Sequence, residues 1–271
     1  MTPPRTAADA LRDAQLPATD ARALLAHAMG IAPDRLTLHL PDPISDAALN
    51  AYQTAIAARL AHQPVAQIIG RRQFWRHEFI VTRDTLDPRP ETEILVAEAI
   101  RCPALRVLDL GTGTGCILLS ILASLPMALG VAADISSAAL DVAARNANAM
   151  GLEKRVRFQQ SDWFSNITDR FDLIVCNPPY ISFDEMGHLA KDVFNWEPHL
   201  ALTPGGDGLD AYRVITKGAG ARMIAGGQIL MEIGPTQGAA VSALLSAQGF
   251  EAIHILPDLD GRDRVICAKK P

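Results

Sequence analysis

The amino-acid sequence predicts an α/β protein, in which a doubly wound, mostly parallel sheet follows a small N-terminal helical domain and a β-hairpin linker. Three observations support this prediction. Residues before 65 show helical periodicity interrupted by prolines. Beyond residue 88, short β-prone apolar runs alternate with helical stretches, as expected of a parallel sheet covered by helices. The first of those runs leads directly into a glycine-rich turn that opens a helix.

Residues 1–65 are predicted to form the helical domain. The apolar stretch before Gly30 has the spacing of a helix, and Gly30 is expected to end it, because glycine readily adopts the left-handed conformation found just after helices. Ser45 is expected to cap a second helix that reaches Leu60. Together these segments predict a small bundle.

Residues 66–87 are predicted to link two domains. The pattern changes there from helical to short β-prone pieces at 74–75 and 79–81, which we expect to form a hairpin. Residues 88–271 form the predicted α/β domain. Its first helix should begin near Pro90, since proline is favoured in the first turn of a helix.

Seven strands are expected within residues 88–271. Strands and helices alternate through most of this region, so these strands should run parallel. The last two strands are separated by a turn at Asp260-Gly261 and should pair antiparallel. The expected strands are 106–110, 131–135, 156–160, 172–176, 228–233, 252–256 and 264–267, and the expected helices are 116–125, 138–150, 212–223 and 237–248.

Composition restricts the class of protein. The chain has 271 residues, of which 49% are hydrophobic, with a net charge of −5 and a pI near 5.8. This acidic balance argues against nucleic acid as the direct substrate, because proteins that bind phosphate backbones carry a basic face. No apolar run is long enough to span a membrane, and the N-terminus lacks the apolar core of a secretion signal. We therefore expect a cytoplasmic protein without a membrane partner.

The cysteines and histidines do not predict a metal site. The seven histidines include no pair spaced for one face of a helix. The four cysteines lack the short spacing of metal ligands and are expected to be buried, reduced thiols. These cysteines are Cys102, Cys116, Cys176 and Cys267.

The most specific feature is Asn177-Pro178-Pro179-Tyr180, which follows the predicted strand 172–176. The carboxyl ends of parallel strands form the ligand-binding edge of such sheets, so we expect this loop at a binding site. Its prolines offer carbonyl acceptors without N–H donors. Acceptors of this kind can hold a planar NH2 group and turn its nitrogen toward an electrophile. The loop therefore favours alkylation of a conjugated nitrogen.

The turn Gly111-Thr112-Gly113-Thr114-Gly115 predicts a nucleoside site at the end of the first strand. A dinucleotide-binding fingerprint would have a third glycine where Cys116 stands, which disfavours an NAD-dependent oxidoreductase. Asp134 ends the next predicted strand, where a carboxylate can accept hydrogen bonds from both ribose hydroxyls.

Asp162 and Trp163 follow the third predicted strand. The aspartate can accept a hydrogen bond from the exocyclic amine of adenine, and the tryptophan offers a stacking surface. A tryptophan at a strand end is equally often part of the core, so both interpretations of Trp163 stay open.

Taken in order, the glycine turn, Asp134, Asp162-Trp163 and Asn177-Pro178-Pro179-Tyr180 resemble the class I methyltransferases that use S-adenosylmethionine. Within that class the chain is similar to the PrmC/HemK family of protein-glutamine N5-methyltransferases, which modify peptide chain release factors. The resemblance covers nearly the whole chain. One departure is Asp87, which stands where the family commonly has an apolar residue. The other matching segments are 88–93, 197–198, 201–202, 205–209 and 260–264.

This resemblance implies the seven-stranded class I methyltransferase sheet and S-adenosylmethionine as cofactor, with S-adenosylhomocysteine as product. The implied substrate is the glutamine of the Gly-Gly-Gln motif in class I release factors, with residues 1–65 recognising the partner. The implied cofactor-binding residues are Gly111, Thr112, Gly113, Thr114, Gly115, Asp134, Asp162, Trp163 and Asn177. Asn177, Pro178, Pro179 and Tyr180 would bind the glutamine, and Asn177, Pro178 and Tyr180 would be catalytic.

Three alternatives share part of this pattern. An adenine-N6 methyltransferase acting on DNA or RNA also carries an Asn-Pro-Pro-Tyr loop, although the acidic balance and the whole-chain resemblance argue against it. A glutamine methyltransferase of a ribosomal protein would share most of the motifs. A nucleoside-binding regulatory protein would bind cofactor without methyl transfer, which the intact acceptor loop disfavours.

Overall fold

The computed structural model describes residues 5–271. Residues 1–4 lie outside the described residues; they begin the predicted domain 1–65 and the N-terminus that is predicted to lack a secretion signal. The chain divides into two compact units. The smaller one comprises the chain up to residue 71 together with residues 190–196, and the larger one comprises residues 72–189 and 197–271.

The smaller unit is helical. Its core contains Leu24, Leu25, Leu36 and Tyr52, each at most 1% exposed. As predicted, Gly30 ends a helix in the left-handed conformation, with φ of 67°. The Oγ of Ser45 caps another helix by accepting a hydrogen bond from the Ala48 N–H at 3.2 Å. The helices are α1 (Ala7–Arg12), α2 (Ala18–Met29), α3 (Leu36–His39), α4 (Asp46–Leu60), α5 (Val65–Ile69) and, later in the chain, α10 (Lys191–Trp196).

Polar contacts attach α10 to the rest of the smaller unit. The Trp196 indole N–H donates to the Ala61 carbonyl at 3.2 Å, and the Gln67 side-chain amide donates to the Trp196 carbonyl at 3.3 Å. The Arg59 guanidinium lies 3.6 Å from the Asp192 carboxylate. The chain therefore passes from the larger unit into the smaller one and back between residues 189 and 197.

A seven-stranded sheet forms the centre of the larger unit, in the order β5-β4-β3-β6-β7-β9-β8. The first five strands in this order are parallel, and β9 pairs antiparallel with both β7 and β8. The predicted fold class is thus confirmed. The strands are β1 (Arg71–Phe74) and β2 (His77–Ile80), which form a separate hairpin, and then β3 (Arg106–Leu110), β4 (Leu129–Asp134), β5 (Val156–Gln160), β6 (Phe171–Cys176), β7 (Met223–Glu232), β8 (Glu251–Pro257) and β9 (Asp263–Lys269).

Buried helices cover both faces of the sheet. On one face Leu118 and Leu122 pack against the strands, and on the other face Tyr212 and Ile215 do so. The helices of this unit are α6 (Glu93–Ala99), α7 (Cys116–Ser124), α8 (Ser137–Ala149), α9 (Phe183–Met186), α11 (His199–Leu202), α12 (Asp210–Ala219) and α13 (Gly238–Ala247). Single 3-10 turns lie at 90–92, 153–155 and 220–222 in this unit and at 33–35 in the smaller one.

The predicted helix 212–223 was wrong at its C-terminal end. The helix ends at Ala219, and Met223 already belongs to β7, where it is the register partner of Phe171. Met223 is fully buried in this pairing. Strand pairing therefore outweighs the local helical pattern, and β7 begins five residues before the strand predicted at 228.

No helix between residues 5 and 271 combines the length and the apolar character needed to cross a membrane. Over the same residues, His, Cys, Asp and Glu side chains form no group of three or more that could hold a metal ion. The four cysteines are buried and free, as predicted.

Candidate active site

The larger unit contains a cavity of about 380 Å³ at the carboxyl ends of β3, β4, β5 and β6. Its volume falls within the range of small-molecule sites, and its position is the usual one for ligands of open parallel sheets. Its lining is predominantly apolar. The predicted site residues that line it are Gly111, Thr112, Gly113, Thr114, Asp134, Asp162, Trp163, Asn177 and Pro179.

The glycine turn connects β3 to α7 and forms one wall of the cavity. The Gly111 and Thr112 N–H groups both donate to the Ala133 carbonyl, at 2.8 and 3.0 Å, which holds the turn against the end of β4. Gly115 differs from the other four residues of the turn, which line the cavity. It begins α7 with φ of 79°, and a Cβ there would lie 3.1 to 3.2 Å from the side chains of Leu119 and Ala143. Its role is therefore to allow α7 to pack closely on α8.

Asp134 lies at the end of β4, opposite the glycine turn. Its Oδ2 accepts a hydrogen bond from the Gly113 N–H and its Oδ1 accepts one from the Ser136 N–H, both at 2.9 Å. Burial raises the pKa of this carboxyl group, and the backbone hydrogen bonds oppose that shift. Since each oxygen has capacity for a further donor, the carboxylate can accept a pair of hydroxyls from a ligand in the cavity.

Asp109 is a second carboxyl group beneath the turn, and the sequence analysis missed it. It is fully buried in β3; its Oδ2 accepts a hydrogen bond from the Thr112 hydroxyl at 2.7 Å, whereas its Oδ1 has no hydrogen-bond partner among the described residues. Burial, with a smaller contribution from the charge of Asp134, raises the pKa of Asp109 to about 7. The signal that could have found it is a charged residue between two apolar ones, Leu108 and Leu110, near the end of a predicted strand.

Trp163 lines the cavity and also packs against the core on one face of the sheet, so the two interpretations of this residue do not exclude each other. Its φ of 46° lies in the left-handed region, which is unusual for a bulky residue and strains its backbone. The Ser161 hydroxyl donates to the Trp163 carbonyl at 2.8 Å and holds this conformation. The neighbouring Asp162 is exposed and also lines the cavity.

The Asn177 loop follows β6, the neighbour of β3 in the sheet, and forms another part of the cavity wall. Asn177 and Pro179 line the cavity, and the adjoining Pro178 is buried. The Asn177 side-chain amide donates to the Thr92 hydroxyl at 3.3 Å. Burial raises the pKa of Tyr180 to about 12, so its phenol stays protonated near neutral pH. The Tyr180 carbonyl accepts a hydrogen bond from the Gln237 side-chain amide at 2.9 Å, which anchors the end of the loop.

Glu232, at the end of β7, is the second buried carboxyl group that was not predicted from the sequence. The Thr92 hydroxyl donates to its Oε2 at 2.6 Å, and the Tyr212 hydroxyl donates to its main-chain carbonyl at 2.9 Å. Burial raises the pKa of the Glu232 carboxyl group to about 7, although the hydrogen bond from Thr92 opposes the shift. Its only sequence signal is a charged residue ending an apolar strand.

An ion pair joins two of the segments that carry the family resemblance. Nη2 of Arg89 lies 2.6 and 2.7 Å from the two carboxylate oxygens of Glu197, whose side chain is 1% exposed. Their neighbours Pro88 and Pro198 line the cavity. Asp87, the residue that departs from the family pattern, is 5% exposed and also lines the cavity.

The cavity thus combines a carboxylate suited to a diol, an aromatic surface, and a loop of amide and carbonyl acceptors. These groups suit a nucleoside-containing ligand with an NH2 group beside it. Most of the predicted site residues line this one cavity. The others, Gly115, Pro178 and Tyr180, belong to the same two loops next to lining residues.

Comparisons with known proteins show the family. Residues 72–209 match the family described as Methyltransferase small domain, and residues 5–70 match the PrmC N-terminal domain. The release factor glutamine methyltransferase of Cereibacter sphaeroides is 57% identical over 268 residues, which cover 99% of this chain and 95% of that protein. The protein of the same name from Xylella fastidiosa strain 9a5c is 45% identical over 257 residues, which cover 93% of each.

A solved structure supports the fold independently. The crystal structure of a methyltransferase from Pyrococcus furiosus matches with a TM-score of 0.56, covering 80% of this chain and 98% of that one. At 13% identity this likeness shows the fold alone. The sequence relatives decide the family: the chain belongs to the PrmC/HemK family of release factor glutamine methyltransferases.

Proposed function

We propose that this protein transfers a methyl group from S-adenosylmethionine to the side-chain amide nitrogen of the glutamine in the Gly-Gly-Gln motif of class I peptide chain release factors. One observation carries the proposal: Asp134 and Asn177, from the ends of different strands, line the same cavity. Their shared position supports a site that binds a nucleoside and an amide side by side. The names of the relatives support a release factor as the protein substrate.

The residues around the cavity fit S-adenosylmethionine. Asp134 would accept the ribose hydroxyls, Asp162 the adenine amine, and Trp163 would stack on the base. The buried carboxyl group of Asp109 supports the glycine turn from beneath, because it accepts a hydrogen bond from the Thr112 hydroxyl at 2.7 Å. When bound, the cofactor supplies an electrophilic methyl group on a sulfonium.

Asn177 and Pro178 act by orientation in this proposal. The Asn177 Oδ1 and the Pro178 carbonyl would accept the two N–H bonds of the substrate amide, which turns its nitrogen toward the methyl group. An amide oxygen is too weak a base to take the proton, so the proton would be released to solvent. The predominantly apolar lining lowers the local dielectric constant and so strengthens these hydrogen bonds.

The proposal also covers the domains, the cellular location and the partners. Residues 1–65 are proposed to recognise the release factor, with the hairpin linker at 66–87 and the methyltransferase domain at 88–271; this division stays a prediction. We propose a cytoplasmic location, because the proposed partner acts in translation termination. Neither a membrane nor nucleic acid is a proposed partner.

A labelling experiment tests the activity. We expect the purified protein, incubated with methyl-labelled S-adenosylmethionine and purified release factors, to place one methyl group on the glutamine of the Gly-Gly-Gln motif, as mapped by mass spectrometry. Asn177→Ala should lower turnover roughly 100-fold or more, because the target nitrogen is no longer oriented. The control Asn148→Ala removes an exposed asparagine on α8 and should not change turnover. A methyl group on adenine, or on a ribosomal-protein glutamine with the release factors untouched, would contradict the proposed substrate.

A further inference from the structure

Three polar groups form a short hydrogen-bonded chain beneath the Asn177 loop. The Asn177 Nδ2 donates to the Thr92 Oγ1 at 3.3 Å, and the Thr92 Oγ1 donates to the Glu232 Oε2 at 2.6 Å. Thr92 and Glu232 are each 2% exposed, so bulk water does not compete for these hydrogen bonds. Asn177, at one end of the chain, is half-buried. Both Asn177 and Thr92 line the cavity.

The chemistry of these groups determines the direction of each hydrogen bond. A carboxylate only accepts, so the single proton of the Thr92 hydroxyl is committed to Glu232. In its contact with Asn177, the Thr92 oxygen can then act only as an acceptor. The Asn177 amide must therefore turn its NH2 group toward Thr92 and its Oδ1 away from it. Because the oxygen and nitrogen of an amide are nearly equal in size, packing alone would not distinguish the two orientations.

We infer that Glu232, acting through Thr92, is a positioning residue that holds the Asn177 amide with its Oδ1 directed to the substrate amide. This inference deepens the proposed function and rests on it for the identity of the substrate. In the reverse orientation, Asn177 would present N–H donors to the N–H bonds of the target nitrogen. That arrangement would repel the substrate group instead of holding it.

The protonation state of Glu232 determines whether the chain works. Burial raises the pKa of Glu232 to about 7, with the hydrogen bond from Thr92 and the charge of Arg264 opposing the shift. Below that pH the protonated acid can itself donate to Thr92, which frees the Thr92 proton for Asn177 Oδ1. The orientation of Asn177 is then no longer determined.

Other titratable or charged groups also lie near Glu232. The cysteines and tyrosines among them have pKa values raised by burial, so they stay protonated through the neutral range. The arginines stay charged throughout this range. These neighbouring groups are Arg89, Glu91, Cys116, Cys176, Tyr180, Tyr212 and Arg264.

Turnover of substituted proteins tests the inference. Glu232→Gln and Thr92→Val keep the shape of the chain but release the Asn177 amide, and each should lower kcat roughly 10- to 100-fold. The KM for the release factor and the Kd for S-adenosylhomocysteine should change much less, since a positioning role affects the reacting nitrogen. Thr92→Ser keeps the hydroxyl and should recover most of the turnover lost in Thr92→Val.

A matched control separates this role from the general loss of a buried hydroxyl. Thr216 is also 2% exposed, and its hydroxyl donates to the Tyr212 carbonyl within α12. Thr216→Val should therefore leave kcat close to that of the unsubstituted protein. Equal losses in Thr216→Val and Thr92→Val, or full turnover in Glu232→Gln, would overturn the inference.

A spectroscopic measurement tests the chain without any substrate. In protein labelled with 15N at asparagine, the Asn177 side-chain signal is identified by its loss in Asn177→Ala. This signal should shift with pH around a midpoint of about 7, because ionisation of Glu232 reaches it through Thr92. The shift should disappear in Glu232→Gln and Thr92→Val. An unchanged titration in Thr92→Val would contradict the inference, whereas an inactive but normally titrating protein would contradict only the proposed function.

Discussion

At the scale of single residues, buried carboxyl groups lie near the carboxyl ends of β3 and β7, on either side of β6. Asp109 and Glu232 are at most 2% exposed, and burial raises the pKa of each to about 7. Burying an ionisable group without a charged partner costs stability, so such groups persist mainly where they serve a site. Both side chains lie at the ligand-binding edge of the sheet, which agrees with that expectation.

The pKa of Asp109 predicts how stability depends on pH. In the unfolded chain this carboxyl group loses its proton near its ordinary pKa of 3.8, whereas the folded protein keeps the proton up to about pH 7. The folded state thus binds more protons than the unfolded state between these two pH values. The contribution of Asp109 to the free energy of unfolding therefore falls as pH rises through that range. The fall is on the order of 4 kcal/mol and ends above about pH 7.

Chemical denaturation between pH 4 and pH 8 checks this prediction. Asp109→Asn should lose much less stability over this range than the unsubstituted protein. Asp141→Asn, at an exposed position on α8, serves as the control and should follow the unsubstituted protein. Parallel curves for Asp109→Asn and the unsubstituted protein would show that Asp109 does not contribute to this pH dependence.

Asp134 should govern cofactor affinity. Asp134→Ala removes the carboxylate proposed to bind the ribose hydroxyls, and each lost charge-assisted hydrogen bond should cost about 1.5–3 kcal/mol of binding free energy. Calorimetry with S-adenosylhomocysteine measures the loss. Asp134→Asn keeps one acceptor oxygen and should bind with intermediate affinity, whereas the exposed-site control Asp141→Ala should bind normally. Unchanged affinity in Asp134→Ala would remove the ribose assignment.

At the scale of elements, the Asn177 loop is shaped by a neighbouring segment that passes very close to it. A Cβ on Gly208 would lie 2.4 Å from the Tyr180 carbonyl oxygen and 3.2 Å from the Ser182 nitrogen. Both contacts are with backbone, which cannot rotate away as a flexible side chain would. The absence of a side chain at Gly208 therefore allows the loop after α11 to support the loop after β6.

Gly208→Ala should consequently disturb the active site, and Gly151→Ala provides the matched control. Both glycines have positive φ, 78° and 67°, so alanine costs each about 1 kcal/mol in backbone strain. Only Gly208 lacks space, because a Cβ on Gly151 would meet nothing within 4 Å. Turnover should fall at least roughly tenfold in Gly208→Ala and stay normal in Gly151→Ala. Equal turnover in the two variants would contradict this role of the loop contact.

At the scale of the whole molecule, the chain order of the two units affects how they can be studied. The helix α10 belongs to the smaller unit, although it lies in the chain between the Asn177 loop and Glu197. Removing residues 1–65 would delete Arg59 and Ala61, which contact α10. A loss of activity after such a deletion would therefore not isolate recognition of the release factor, and surface substitutions are the better test.

Leu38 offers such a substitution in the smaller unit. Its side chain is 74% exposed, so a substitution should leave the helical core intact while changing the surface of the domain proposed to recognise the release factor. Leu38→Lys should lower kcat/KM for the release factor roughly fivefold or more, mainly through KM, with the affinity for S-adenosylhomocysteine unchanged. Leu259→Lys, at a fully exposed leucine of the larger unit, is the control. Equal kcat/KM in the two variants would place the partner-binding surface elsewhere.

The sequence by itself determined the features that depend on neighbouring residues. The alternation of strands and helices, the glycine turn after β3 and the Asn177 loop after β6 could all be located, because each is encoded within a few consecutive residues. The rule that ligands bind at the carboxyl ends of parallel strands then placed the candidate residues together. The boundary between α12 and β7 was wrong because distant strand pairing decided it.

Only the tertiary structure showed which distant side chains support these local motifs. Thr92 and Glu232 are separated by 140 residues in the chain yet share a hydrogen bond, and neither belongs to a pattern that predicts it. The same holds for α10, which packs in the smaller unit through Arg59 and Ala61. Buried polar groups in a folded core form hydrogen bonds, and the partner can come from any part of the chain that packs beside them. The residues around each group therefore do not predict its partner.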